Sequence, residues 1–179
     1  SKLSWLNDCN EEQVAIHSNA HPISFGQLRH LILRMANLLL HFQDTAPEHT
    51  NPHRSFLDQH RVLCLLPASA ALIVAQMGAT AAGSLLCVGL PEDPDEKRTE
   101  RLKSFDPDLV IVTASTWGRL LTSHPELEHR HALIIGDACD EADLDEFLDS
   151  FPEAPELPPF EPGRPAYVVY TSGSSGEPK

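Results

Sequence analysis

Basic residues are scarce in this chain: 13 Lys and Arg stand against 26 Asp and Glu, for a net charge of −13. Neutralising a phosphate backbone or an anionic lipid surface takes clustered Lys and Arg, so the scarcity excludes nucleic acid and anionic membranes as partners. Cysteine is also sparse. The four, Cys9, Cys64, Cys87 and Cys139, form no C-x-x-C pair, and Cys64 and Cys87 lie inside apolar runs where a thiol behaves as a small hydrophobe. Free thiols of this kind are expected in a reducing, cytoplasmic compartment. The start of the chain has no basic segment followed by an apolar core, so no secretory signal is visible. Charge is wholly missing between Arg61 and Glu92, a length that could suggest a membrane span. Pro67, Ser69, Gln76, Gly78, Thr80, Gly83, Ser84 and Gly89 cut that run into pieces too short to cross as one helix, which leaves strand, helix and strand, all buried.

What is present is an ordinary globular composition: 179 residues, 41% hydrophobic and 22% charged, enough to bury a core without disulfides or metal. The first residue is Ser1 rather than Met and the last is Lys179, so either end is expected to be a cut. The acidity is local. Ten acids and no Lys or Arg fall between Asp137 and Glu161, leaving only −3 for the rest of the chain. This segment reads as a solvated acidic helix and linker, since it lacks the glycine and alternating oxygens of a calcium loop.

Along the chain, Val14 to His17 is a strand candidate. Ser24 and Gln27 have capping-box spacing, and Leu28, Leu31, Met35, Leu38 and Phe42 recur three or four residues apart on a helix whose other face carries Arg29, His30, Arg34 and Asn37. Residues 43–60 are polar, with Pro47 and Pro52, and are expected to be an exposed insertion. Arg61 to Leu66 and Ser84 to Val88 are strands flanking a helix capped by Ser69. Asp93 and Pro94 read as cap and first turn of the next helix, which carries Glu96, Arg101 and Leu102. Leu109 to Thr113 and Ala132 to Ile135 are strands, with short helices over Thr116 to Leu121 and Leu144 to Leu148. Six prolines between Pro152 and Pro165 make residues 150–165 a Pro-rich acidic linker. Ala166 to Tyr170 is the last strand. Apolar strands alternating with helices predict an α/β fold, a mostly parallel sheet with helices on both faces.

The chemistry sits directly after that strand, in Tyr170-Thr171-Ser172-Gly173-Ser174-Ser175-Gly176-Glu177-Pro178-Lys179. Glycines let backbone N–H groups approach phosphate oxygens, hydroxyls add donors, and a lysine brings positive charge to the carboxyl end of a parallel strand. The spacing is not that of a Walker A loop, because Glu177 and Pro178 separate Gly176 from Lys179. Bare composition would also allow a flexible Ser/Gly linker, but the apolar strand before it and the final Pro-Lys favour a polyphosphate site. These ten residues resemble the phosphate-binding loop of the adenylate-forming superfamily, which includes acyl-CoA synthetases, luciferases and the adenylation domains of nonribosomal peptide synthetases. Ser175 stands where that loop usually has Thr. Ile23-Ser24-Phe25-Gly26-Gln27-Leu28 is similar to the motif opening the first long helix of peptide-synthetase adenylation domains, and Met77 to Leu102 looks like their second motif. Val88-Gly89-Leu90-Pro91 departs from the usual Pro-Leu-Asp-Pro.

The resemblance implies that residues 1–179 are the N-terminal part of an adenylation domain, truncated at its phosphate loop. It implies attack of a carboxylic or amino acid on the α-phosphate of ATP, accompanied by Mg2+, to give an acyl-adenylate and pyrophosphate. Transfer to the phosphopantetheine thiol of a carrier protein would follow. Thr171, Ser172, Gly173, Ser174, Ser175 and Gly176 would contact the phosphates through backbone and hydroxyl groups, and Lys179 through its charge. In the family the acid pocket and the catalytic lysine follow this loop, so no catalytic residue is assigned and the isolated chain is expected to be inactive without the remainder of the domain. The alternatives are an acyl-CoA ligase of the same superfamily, or a noncatalytic α/β interaction domain with a vestigial loop. Among other residues, His124, His129 and His131 near Glu128 read as surface histidines rather than a metal site. Asp58 and His60 lack the Gly-x-Ser-x-Gly elbow of a hydrolase. Trp5 and Trp117 read as packing residues.

Overall fold

The computed structural model describes residues 3–17, 21–45, 59–90, 93–154, 156–159 and 161–170. A short helix, α1 (Ser4–Asn7), precedes an antiparallel pair of strands, β1 (Val14–Ile16) and β2 (Ile23–Ser24). The long helix α2 (Phe25–Thr45) starts directly from β2 through the expected capping box. The Gln27 N–H donates to Ser24 Oγ at 3.2 Å, and the Ser24 N–H donates back to Gln27 Oε1 at 2.8 Å. Then come β3 (Arg61–Leu65), α3 (Ala70–Ala81), β4 (Leu85–Val88), α4 (Asp95–Phe105), β5 (Leu109–Thr113) and α5 (Ala114–Ser123). A 3-10 turn (Pro125–His129), β6 (Ala132–Ile135), α6 (Glu141–Phe147) and β7 (Tyr167–Val168) complete the order.

The five longer-range strands form one parallel sheet in the order β6-β5-β3-β4-β7. Because side chains alternate across a strand, odd and even positions of β3 feed two different cores. Val62 and Cys64 face α3, α6 and, behind them, α2, together with Leu86, Leu109 and Ile111. Leu63 and Leu65 face the other side with Leu85, Cys87, Val110 and Val112, against Leu102 and Phe105 of α4 and Leu120 of α5. The expected parallel sheet with helices on both faces is therefore the observed fold.

Two sequence readings are corrected here. Asp93 does not cap α4: Pro94 occupies the cap position, its carbonyl accepting from the Lys97 and Arg98 N–H groups, while the Asp93 carboxylate turns to Leu90 and Arg101. The acidic segment is not simply solvated. Three of its acids meet the polar face of α2, with Asp145 pairing Arg34 at 2.7 Å, Glu153 meeting His30 at 2.8 Å and Glu141 accepting from Gln27 at 2.9 Å. Arg34 is buried as a result and also donates to the Phe151 carbonyl. Residues 150–165 hold no helix or strand among those described, yet Phe151 and Leu157 pack against the larger core and the Ala154 N–H donates to the Leu33 carbonyl. Most of the stretch 43–60 lies outside the described residues. At its edges, Gln43 donates to the Ala82 carbonyl and Ser84 Oγ, and Gln59 is buried.

Candidate functional site

In an open α/β sheet, ligands lie beyond the carboxyl ends of the strands, where successive connections leave on opposite faces. Here α3 carries the chain from β3 across one face, whereas α4 and α5 carry it from β4 and β5 across the other. β7 runs parallel beside β4, in the register Leu86 to Tyr167 and Cys87 to Val168, so its carboxyl end opens on that same edge. Thr171, Ser172, Gly173, Ser174, Ser175, Gly176 and Lys179 lie outside the described residues. The chain that leads to them is described as far as Tyr170.

Tyr170 meets α4. Tyr170 Oη lies 2.8 Å from Ser104 Oγ, and the Arg101 guanidinium sits 6.0 Å from the Tyr170 ring centroid, at the outer limit of a cation–π contact. Arg101 also forms a hydrogen-bonded ion pair with Asp93, the two side chains being only 10% and 12% exposed. Asp93 accepts further from the Leu90 N–H at 3.3 Å, and Lys97 Nζ lies 3.6 Å from its other oxygen. Burial pushes the Asp93 carboxyl up, but the hydrogen bond and charge of Arg101, the Leu90 N–H and Lys97 outweigh it and hold the group below the usual carboxylate range. Gly89 makes the close approach possible. A Cβ there would come within 2.7 Å of Leu65 Cδ2 and 3.0 Å of Arg101 Nη1. Gly89, within the stretch that departs from the usual motif, thus leaves room for this arginine. Beneath it, burial pushes the Cys87 thiol up to about 11 against the pull of Arg101.

Sequence reasoning named Arg101 as a residue of the helix that Asp93 opens and missed the cluster of Asp93, Arg101, Ser104 and Tyr170. Its only linear signal is an aromatic residue next to the Ser/Gly segment, since the partners come from 66 or more residues upstream. At the other end of the sheet edge, the Ser115 N–H donates to Asp137 at 3.0 Å and holds that carboxyl low. An open groove of about 740 Å³ runs between α4 and the end of α5. Asp95, Glu96 and Glu100 line it against a single lysine, Lys103, so its charge disfavours a polyphosphate.

The remaining candidates separate from the site. His124 pairs with Glu126 at 3.3 Å, and among the described residues no three His, Cys, Asp or Glu converge as a metal site. Asp58 lies outside the described residues, while His60 Nδ1 lies 3.5 Å from Ser84 Oγ. Trp117 packs against the second core. Trp5 stays 45% exposed and touches Phe25 edge-on at 6.4 Å.

Comparison with known proteins agrees with this fold. Residues 5–179 match the family model described as AMP-binding enzyme. ATP-bound MatB from Rhodopseudomonas palustris superposes with a TM-score of 0.75 at 18% identity, over 99% of this chain and 33% of that one. A benzoate CoA ligase from Burkholderia xenovorans LB400 gives 0.71 at 18% identity, over 94% and 32%. VinN in complex with 3-methylaspartate gives 0.70 at 18% identity, over 99% and 44%. The chain thus spans 32–44% of the length of these structures. A comparison with curated proteins finds no match. The shared parallel sheet and the match over nearly the whole sequence place this chain in the AMP-binding enzyme family.

Proposed function

We propose that the chain is the phosphate-binding part of an ATP-dependent adenylating ligase, which activates a carboxylic acid as acyl-AMP and passes the acyl group to a thiol. The observation that carries this reading is the order along the chain: the Ser/Gly/Lys sequence comes just after β7, a strand of the parallel sheet, in a chain matched as an AMP-binding enzyme. Thr171, Ser172, Gly173, Ser174, Ser175, Gly176 and Lys179 would hold the β and γ phosphates of ATP, which Mg2+ accompanies, while pyrophosphate leaves. The remainder of the adenylation domain would supply the acid pocket, and this chain alone would form no adenylate.

For the acid and the thiol, an amino acid and a carrier-protein phosphopantetheine are the reading we favour. The capping-box motif at Ile23 to Leu28 supports it, as does the Ser-Ser of the loop, and VinN, solved with 3-methylaspartate, shares the fold. The benzoate CoA ligase supports coenzyme A as the thiol instead. We place the protein in the cytoplasm on its free cysteines, and no described helix is long and apolar enough to cross a membrane. In the full-length enzyme, Lys179→Ala and Ser174→Ala should each lower carboxylate-dependent ATP–pyrophosphate exchange at least tenfold, roughly the loss of one charged or positioned donor. Unchanged exchange in both variants would count against a role for this segment, and no exchange by the wild type would favour the noncatalytic alternative. Acyl transfer measured side by side to coenzyme A and to a phosphopantetheinylated carrier separates the two thiols.

A further inference from the structure

The groove between α4 and the end of α5 has an ordered lining. Glu96, Thr99, Glu100 and Lys103 recur three or four residues apart, which places them in one stripe along α4, and Ser123 and His124 come from the end of α5. Acids at the start of a helix are ordinary, since they complement its dipole, and that accounts for Asp95 and Glu96. Asp95 is moreover paired with Arg98 at 2.7 Å. Glu100 lies beyond the first turn. Among the described residues neither its carboxylate nor that of Glu96 forms an ion pair, even with Lys103.

Thr99 adds a separate signal. It is only 5% exposed, and its Oγ1 is buried with no hydrogen-bond partner. Helical hydroxyls elsewhere in the fold donate to the carbonyl four residues back, Thr80 to Gln76, Ser104 to Glu100 and Thr122 to Gly118. Thr99 makes no such bond, so its hydroxyl is left for a group that enters the groove. Charge and donor count narrow what that group is. Glu96 and Glu100 against Lys103 leave one negative charge, which a singly charged cation balances. No three His, Cys, Asp or Glu converge among the described residues, so the lining lacks the oxygen set of a metal ion. A primary ammonium carries three N–H donors on one atom, enough for two carboxylates and a hydroxyl, and a groove of about 740 Å³ has the size of a small-molecule site.

We infer that this groove binds a primary alkylamine, its ammonium held by Glu96, Thr99 and Glu100 and its aliphatic tail lying between α4 and the end of α5. The inference goes beyond the adenylation reading and does not rest on it.

The test is an NMR titration of the isotope-labelled protein with n-pentylammonium chloride, set beside sodium chloride, n-pentanol and pentyltrimethylammonium chloride. Amide signals of residues 99–104 should shift and saturate in the millimolar range with the primary amine and not with the salt or the alcohol. The trimethyl analogue, which has the charge but no donor, should bind several-fold more weakly. Thr99→Val keeps the shape and removes the hydroxyl; it should raise the Kd about two- to tenfold, the range of one hydrogen bond, and Glu100→Gln at least as much. Because Thr99 Oγ1 has no partner within the protein, Thr99→Val should leave the urea midpoint unchanged or raise it, so weaker binding would not reflect a damaged fold. Shifts that fail to saturate by about 50 mM, equal binding of n-pentanol or of the trimethyl analogue, or an unchanged Kd in either variant overturns the inference.

Discussion

Arg101 and Asp93 are opposite charges held almost out of water, and such a pair is costly to break on one side because the survivor is left buried. Asp93 makes the consequence measurable with pH. Its folded carboxyl titrates below the ordinary value of 3.8, so the unfolded chain takes up the proton more readily. The stability it contributes is fully present above that ordinary value and is lost as pH falls through the depressed one. The difference in urea midpoint between wild type and Asp93→Asn should stay constant from neutral pH to about 5 and shrink below about 4. A gap that persists unchanged to pH 2 would contradict the assignment. The sequence named Asp93, but as a helix cap, because Asp before Pro at the start of a polar helix is the usual local signal. Its true partner lies eight residues on, two turns along α4, and only the fold brings the two together.

At the scale of elements, α2 was the most legible piece, since its capping box and apolar spacing both survive in the structure. What periodicity could not show is that its polar face is covered. Hydropathy separates apolar from polar positions, but not solvent from an acidic segment more than a hundred residues away. Arg34 joins the two, and Arg34→Ala should cost about 1–3 kcal/mol in urea unfolding and speed proteolysis within residues 141–154. The apolar face is as tightly made. A Cβ on Gly78 of α3 would approach Met35 Cβ to 2.8 Å, with Cγ closer still, so Gly78→Ala should push α2 and α3 apart at a cost of about 1–3 kcal/mol despite its better helix propensity. β2 escaped notice for a different reason: two residues are too few to show alternation.

For the whole molecule, the alternation of apolar strands with helices was sufficient to predict the class, because buried parallel strands read as continuous hydrophobic runs. The strand order was not legible, since either side of β3 offers an equally apolar neighbour. The cysteines report on the integrity of this core. Cys64, Cys87 and Cys139 are buried, and burial pushes the thiols of Cys87 and Cys139 up to about 11 and that of Cys64 higher. Cys9 is only half-buried. A brief iodoacetamide pulse at neutral pH should therefore label one cysteine in the native chain, Cys9, and all four above the urea midpoint, as read by mass spectrometry. Rapid native labelling of Cys64 or Cys87 would contradict the fold.

The pairing of β7 with β4 also bears on how the molecule assembles. Leu86 and Tyr167 meet across some eighty residues of chain, whereas β3 and β4 are joined by a single helix. The entropy of closing so long a loop must be met before two residues of ladder repay it, which makes this pairing a late event in folding. The sheet can therefore form through β6, β5, β3 and β4 first, and the strand that leads into the Ser/Gly segment is the last to join and the first to leave.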